Sequence, residues 1–338
     1  MNGNALMARI AGASIVVTGA SSGVGRATAL ALADHGARLT LAARGREALE
    51  RVASECTERG GPAVAVPTDI SDSDATVKLA EAAASTFGGL DAWINVVGVG
   101  AFGRFEETPI EAHRRVIETN LIGAVNGAHA AIPYFRAQGQ GILINVNSLG
   151  AWVPSPYSAA YAAGKWGLLG FSKSLRAELS RSRGIAVCDV FPSFLNTPGL
   201  DHAANYTGRE LAAAPPVYEP EAVANAIVNL IQRPRSEVTV GVPAKLAWLL
   251  GTMAPGLAGW LAGRAIAVYL NRASTVPITD GNLFESGGGT NRVHGRQTAQ
   301  NRKLLGAGLG TVALAAALGM APRLLRGAPS ATPGRAGS

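Results

Sequence analysis

Short apolar, often β-branched runs alternate along the chain with longer Ala- and Leu-rich stretches of helical spacing. Strands are predicted at 14–18, 38–42, 63–70, 91–98, 141–146, 184–191 and 237–241. Each is four to eight residues and most are apolar on both faces, as strands sealed between helices are. Helical patterns fill the intervals: 25–33, a stretch opening at Asp72-Ser73-Asp74, one opening at Thr108-Pro109-Ile110-Glu111, the run 159–179, and 220–232. Thr108 reads as an N-cap, with Pro109 at the first helical position and Glu111 closing a capping box. Strand-helix alternation without an internal repeat predicts an α/β fold, a single doubly wound parallel sheet in one domain over 1–242.

Beyond Val242 the pattern changes, and an apolar helical extension is expected. Residues 246–262 are almost uninterrupted apolar sequence, with Trp248 and Trp260 toward the ends and Pro255-Gly256 between them. Proline splits such a run into two helical pieces. A membrane-interface hairpin, a lid over an apolar pocket and a subunit contact all fit, so 243–285 is read as a lid or interface. A Gly-rich linker over 286–303 leads to 304–322, which carries no charge and is flanked by Arg302-Lys303, Arg323 and Arg326. As a helix it would measure about 28 Å, against a hydrocarbon core of about 30 Å. A membrane-anchoring helix is expected there in preference to a docked one, followed by a basic disordered tail over 323–338. The catalytic body is expected in the cytoplasm, brought to membranes by this segment.

Charge placement changes the meaning of a net +7. The last acid is Glu285, and the seven basic residues after it leave 23 basic against 23 acidic residues in the rest of the chain. A neutral body with a basic tail favours a membrane surface and gives nucleic acid no support. Cys56 and Cys188 stand alone and the five His residues are scattered, so neither a disulfide framework nor a metal site is expected. The amino terminus lacks the long apolar core of a signal peptide.

Candidate chemistry centres on Tyr161 and Lys165, four positions apart and hence on one helix face. A cation beside a phenol favours the phenolate and readies it for proton exchange. Ser148, at the end of a buried strand, can hold a substrate oxygen beside that phenol. Thr18-Gly19-Ala20-Ser21-Ser22-Gly23-Val24-Gly25 follows the first strand, where glycines permit close approach of a pyrophosphate to a helix N-terminus. The second strand ends at Arg44, not at an acid. A guanidinium there suits a 2′-phosphate, pointing to NADP(H) in preference to NAD(H).

In these motifs the chain resembles the classical short-chain dehydrogenase/reductases over roughly residues 10–242. The glycine loop matches TGxxxGxG, Asn95-Val96-Val97-Gly98 matches NNAG loosely, and Asn120, Ser148, Tyr161 and Lys165 match the catalytic tetrad. The resemblance implies a Rossmann fold and an oxidoreductase interconverting carbonyl and alcohol. Asn120 would support a proton relay, and Lys165 would tune Tyr161 and hold the nicotinamide ribose. The remaining implied cofactor contacts are Asp69 and Ile70 beside the adenine, Gly98, and Pro192 and Thr197 near the carboxamide. Departures are Val96 and Val97 for Asn and Ala, Ser193 for a Gly, and Ser21 and Ser22 where a basic residue is expected. A lipophilic substrate and a homo-oligomer are expected. The rival reading is a silent dinucleotide-binding scaffold or sensor; a nucleotide-sugar epimerase is disfavoured, since those relatives carry TGxxGxxG.

Overall fold

The computed structural model describes residues 10–214, 216–286 and 291–295. The expected anchor at 304–322, the tail at 323–338 and most of the linker at 286–303 lie outside these residues.

Ser14–Thr18 is buried along its whole length and forms β1. Its chain turns through the glycine loop into α1 (Gly23–Asp34), and the same strand-helix step repeats as β2 (Arg38–Ala43), α2 (Arg46–Glu58), β3 (Ala63–Pro67) and α3 (Ser73–Phe87). Asp72 caps α3, its carboxylate accepting from the Asp74 and Ala75 amides. Then follow β4 (Ala92–Asn95), the two-residue strand β5 (Ala101–Phe102), α4 (Ile110–Ile117), α5 (Gly123–Gln138), β6 (Gly141–Val146), α6 (Ala159–Glu178) and β7 (Ile185–Pro192). A second two-residue strand β8 (Ala204–Asn205), α7 (Pro220–Gln232), β9 (Glu237–Val240), α8 (Val242–Met253) and α9 (Pro255–Arg272) complete the order.

The sheet runs β3-β2-β1-β4-β6-β7-β9, and every pairing is parallel. Strand order reverses between β1 and β4, which opens a crevice at the carboxyl ends of the strands. One apolar cluster packs beneath α1, α2 and α7, a second beneath α3, α5 and α6. The doubly wound sheet is therefore as the sequence pattern predicts.

Three local expectations give way to competing hydrogen bonds. Thr108 does not cap its helix: its hydroxyl donates to the Arg104 carbonyl at 2.9 Å, and α4 starts one residue later with Pro109 at the cap position. The helix carrying Asn120 is irregular, since α4 passes into α5 through a π-helical turn at Glu118–Ile122. Such wide turns recur at functional sites because they re-aim a side chain. The stretch between β7 and α7, where the sequence pattern predicts neither helix nor strand, contains β8, which pairs with β5 and bridges to Thr279.

A buried polar chain crosses the sheet. Trp93 Nε1 donates to Asn95 Oδ1 (2.8 Å), Asn95 Nδ2 to Asn145 Oδ1 (2.9 Å), Asn145 Nδ2 to the Ser172 hydroxyl (2.9 Å), and that hydroxyl to Asp189 (2.9 Å). Arg176 closes the chain at 2.6 Å from Asp189. Burial pushes the Asp189 carboxyl up to about 6, outweighing Arg176. Ser172→Val should remove two bonds and strand the buried Asn145 amide, while Asp189 keeps Arg176, lowering stability by about 3 kcal/mol. Urea unfolding within half of that value of wild type would mean the chain does not tie α6 to the sheet.

Candidate active site

The loop between β1 and α1 turns as tightly as its glycines require. Gly19 has φ +67°, and a Cβ there would lie 3.2 Å from the Val97 backbone; at Gly25 one would lie 2.1 Å from the Gly19 carbonyl oxygen. The loop lines one end of a cavity of about 740 Å³. Gly19, Ser21, Ser22, Gly23, Val24, Gly25, Arg44, Asp69, Ile70, Gly98, Ser148, Tyr161, Lys165, Pro192 and Thr197 all line it. Asn95 and Asn120 do not. Asn95 is spent within the buried polar chain and on the Ala124 carbonyl. Asn120 is locked to the Val99 backbone by two bonds, from Nδ2 to the carbonyl at 2.9 Å and to Oδ1 from the amide at 2.8 Å.

Ser148 leaves the carboxyl end of β6, and its hydroxyl accepts from the Gly150 amide at 3.1 Å. Beside it is Tyr161, which projects from α6 near Lys165; a Cβ on Gly150 would lie 3.5 Å from Ser148 Oγ and 3.4 Å from the Tyr161 ring. Lys165 is 4% exposed, and its ammonium donates to the Val146 carbonyl at 2.9 Å. Nζ lies 5.8 Å from the centre of the Tyr161 ring. Gly98 lies between Lys165 and Asn120, and a Cβ there would be in ordinary contact with both, 3.9 Å from Nζ and 4.0 Å from Asn120 Oδ1.

The electrostatics differ from the simple expectation of a lowered phenol. Burial raises Tyr161 above the ordinary tyrosine range, with the bond from Ser148 opposing it. Burial also lowers Lys165 to about 8, against the pull of Asp189. At neutral pH this gives a protonated phenol beside an ammonium that titrates within reach.

At the opposite end, the chain after α9 folds back across the site as a strap. Arg44 donates to the carbonyls of Asn282, Leu283 (3.2 Å), Phe284 (3.2 Å) and Glu285 (3.1 Å). Arg115, from α4, donates to the same Leu283 carbonyl at 3.3 Å and meets Asp69 at 2.5 Å and Ser71 at 2.6 Å. Burial and then Arg115 lower Arg44, while Asp69 opposes. For Asp69 itself, burial is outweighed by the bonds from Arg115 and Ser71, which leave the carboxyl below its usual value. Further on, the Gly23 amide donates to the Arg292 carbonyl at 2.9 Å, and Arg26 reaches the Asn291 carbonyl.

Arg115 was not a sequence candidate, because an Arg114-Arg115 pair on a helix reads as solvated surface. Asn147, Ser193 and Thr119 were also missed. All three line the cavity, and each holds a buried polar atom without a partner: Asn147 Nδ2, the Ser193 hydroxyl and the Thr119 hydroxyl. Orphaned donors of this kind call for a polar ligand. With the glycine cradle and the two arginines, they fit an extended dinucleotide. Among the described residues one metal-capable group comes together, Glu219, Glu221 and His294, with ligand atoms within 4.8 Å. His294 Nε2 is 2.9 Å from Glu221, an exposed ion pair when the imidazole is protonated.

The lowered Lys165 makes a signed prediction. Between about pH 8 and its ordinary value of about 10.4 the unfolded chain binds more protons at this lysine than the folded one, so its contribution to stability rises with pH. Wild type should gain stability relative to Lys165→Met across that window in denaturant titrations. A difference that stays flat would place the amine in water.

Residues 13–206, more than half of the chain, match the family described as short chain dehydrogenase. An uncharacterized oxidoreductase YxnA of Bacillus subtilis is 34% identical over 289 residues, covering 84% of this chain and 80% of that protein. A metagenomic short-chain oxidoreductase solved in complex with NADP has 32% identity and a TM-score of 0.59, covering 68% of this chain and 97% of its own. An alcohol dehydrogenase from the archaeon Thermococcus sibiricus, complexed with 5-hydroxy-NADP, has 26% identity and a TM-score of 0.59, covering 67% and 94%. With its parallel sheet, its glycine cradle and these matches, the chain belongs to the short-chain dehydrogenase/reductase family and is an NAD(P)-dependent oxidoreductase.

Proposed function

We propose that the protein interconverts a carbonyl and an alcohol on a lipophilic substrate, with NADP(H) preferred over NAD(H) and Tyr161 as the proton donor and acceptor. One observation carries this reading: Ser148, Tyr161 and Lys165 line the same cavity as the glycine loop and a set of apolar side chains. Those side chains are Val153, Leu211, Ala262, Ala265, Ile266 and Leu270.

The bound nicotinamide supplies or accepts the hydride. The protein's own task is the oxygen and its proton. Ser148 and Tyr161, side by side, together hold the substrate oxygen. Burial keeps the phenol protonated, the form needed when a carbonyl is reduced. Lys165 stabilises the phenolate left behind and holds the ribose, and its ammonium passes a proton back toward Tyr161. Asn120 acts at one remove, by fixing the Val99 backbone beside Gly98. The segment 243–285 serves as a lid, since α9 forms part of the apolar wall.

Cofactor preference rests on Arg44 with Arg115. The two guanidinium groups share the Leu283 carbonyl, and Asp69 is the counter-charge beside them. A 2′-phosphate dianion relieves that repulsion and accepts charge-assisted bonds that a bare ribose hydroxyl cannot match. Both solved relatives described above carry an NADP-type ligand, in line with this assignment.

Turnover of NADPH with a panel of ketones, and of NADP with the matching alcohols, tests the reading against a silent scaffold, which would bind cofactor and convert none. Tyr161→Phe should reduce turnover about a thousandfold, with NADPH affinity by fluorescence titration nearly unchanged. Activity near wild type would end the assignment of Tyr161. Arg44→Asp should reverse the preference for NADPH over NADH, and Arg115→Ala should reduce it. A wild type indifferent to the 2′-phosphate would make both arginines bystanders.

A further inference from the structure

The helices α8 and α9 carry a surface that the catalytic reading leaves unused. On α9, Ala258 is buried, and Ala262, Ala265, Ile266 and Tyr269 line the cavity, a stripe at helical spacing along one face. The opposite face bears Leu257 and Trp260, both exposed, with the Arg264 guanidinium 5.3 Å from the Trp260 ring centre. On α8 the exposed face carries Trp248, Leu249 and Met253, the last 76% exposed. Gly251 on the same helix seats it against the Trp152 carbonyl, where a Cβ would come within 1.9 Å. The hairpin is therefore fixed on the substrate end of the fold with a second apolar face turned outward.

Exposed large apolar side chains packed into so short a segment mark an interaction surface. Its charge names the partner. No Asp or Glu occurs between Glu237 and Asp280, whereas Lys245, Arg264 and Arg272 do. An apolar face with two tryptophans and Arg264, on a hairpin without an acid, matches the interface of an anionic bilayer, where indoles sit at headgroup depth and cations meet lipid phosphates. Among the described residues no helix is long and apolar enough to cross a membrane. The mode is shallow insertion.

We infer that the outer face of the α8–α9 hairpin seats on an anionic lipid surface, so that lipophilic substrate passes from the bilayer past α9 into the cavity. Docking stands on the surface alone; the delivery step rests on the lipophilic-substrate reading above.

The test uses the full chain with vesicles of phosphatidylcholine alone or with phosphatidylglycerol, containing brominated lipid. Phosphatidylglycerol vesicles should quench wild-type tryptophan fluorescence, and Trp248→Phe with Trp260→Phe should remove most of that quenching. Leu249→Glu, Met253→Glu and Leu257→Glu together should weaken binding on the order of a hundredfold, while NADPH-dependent turnover of a water-soluble ketone stays at the wild-type level. Vesicle binding without quenching of Trp248 and Trp260 would assign attachment to another segment and overturn the proposal. So would a sedimentation dimer that the glutamate variant dissociates, which would make the face a contact between copies. Quenching without turnover of any ketone would leave docking standing and remove the catalytic reading instead.

Discussion

Asn145 accepts from Asn95 on the neighbouring strand and donates to Ser172 on the helix that carries Tyr161 and Lys165. One buried amide thus fixes β4, β6 and α6 relative to one another. Hydrogen bonds sealed from water are costly to leave unmade, so a helix held this way has little freedom to slide or rotate. The consequence reaches the site. The Val146 carbonyl that receives Lys165 is the next residue along β6, and Ser148 follows two positions later. Asp189, at the other end of the chain of bonds, is the counter-charge that opposes the lowering of Lys165. The chain of bonds that positions the Lys165 amine also ends on the carboxylate that bears on its proton affinity.

The parts of this arrangement written in side chains were legible in the sequence. Buried parallel strands need apolar runs and the crossovers need helices, so the doubly wound sheet follows from alternation alone. Tyr161, Lys165 and Ser148 were legible because each contributes a reactive side chain at a fixed distance from a strand or helix end. What escaped was written in backbone or in long-range pairing. The strands β5 and β8 are two residues each and exist through distant partners. The carbonyls of 282–285 that receive Arg44 leave no trace in residue identity, since any sequence offers them. The phenol was misjudged in direction, because periodicity places a cation beside Tyr161 but does not report how completely both are removed from water.

The strap alters how Arg44 should be understood. A free guanidinium at the end of β2 would be a solvated charge, costing nothing to leave in water. Here it is half-enclosed, next to Arg115, and satisfied by neutral carbonyls. Neutral acceptors complete the hydrogen bonds without cancelling the charge, so the repulsion from Arg115 is offset only in part, by Asp69. The Gly23 amide shows the same substitution, at the helix end where a pyrophosphate is expected. Both ends of the dinucleotide groove therefore hold donors that an anion serves better than a carbonyl does.

The helix α9 meets two apolar demands on opposite faces, and this explains its composition. A helix covering a cavity in water would carry polar residues outside, as the amphipathic pattern requires. Instead Leu257 and Trp260 face outward while Ala262, Ala265 and Ile266 face the cavity, and small residues between them keep the helix close to Pro154. Alanine and glycine make a thin wall. With lipid on the outer side, as inferred above, a thin wall with apolar surfaces on both sides separates two environments of like chemistry, so a molecule at home in one loses little free energy on entering the other. A charge on the cavity side would set a desolvation barrier at that step; the α9 residues that line the cavity carry none, and Arg264 lies over the Trp260 ring on the outer face.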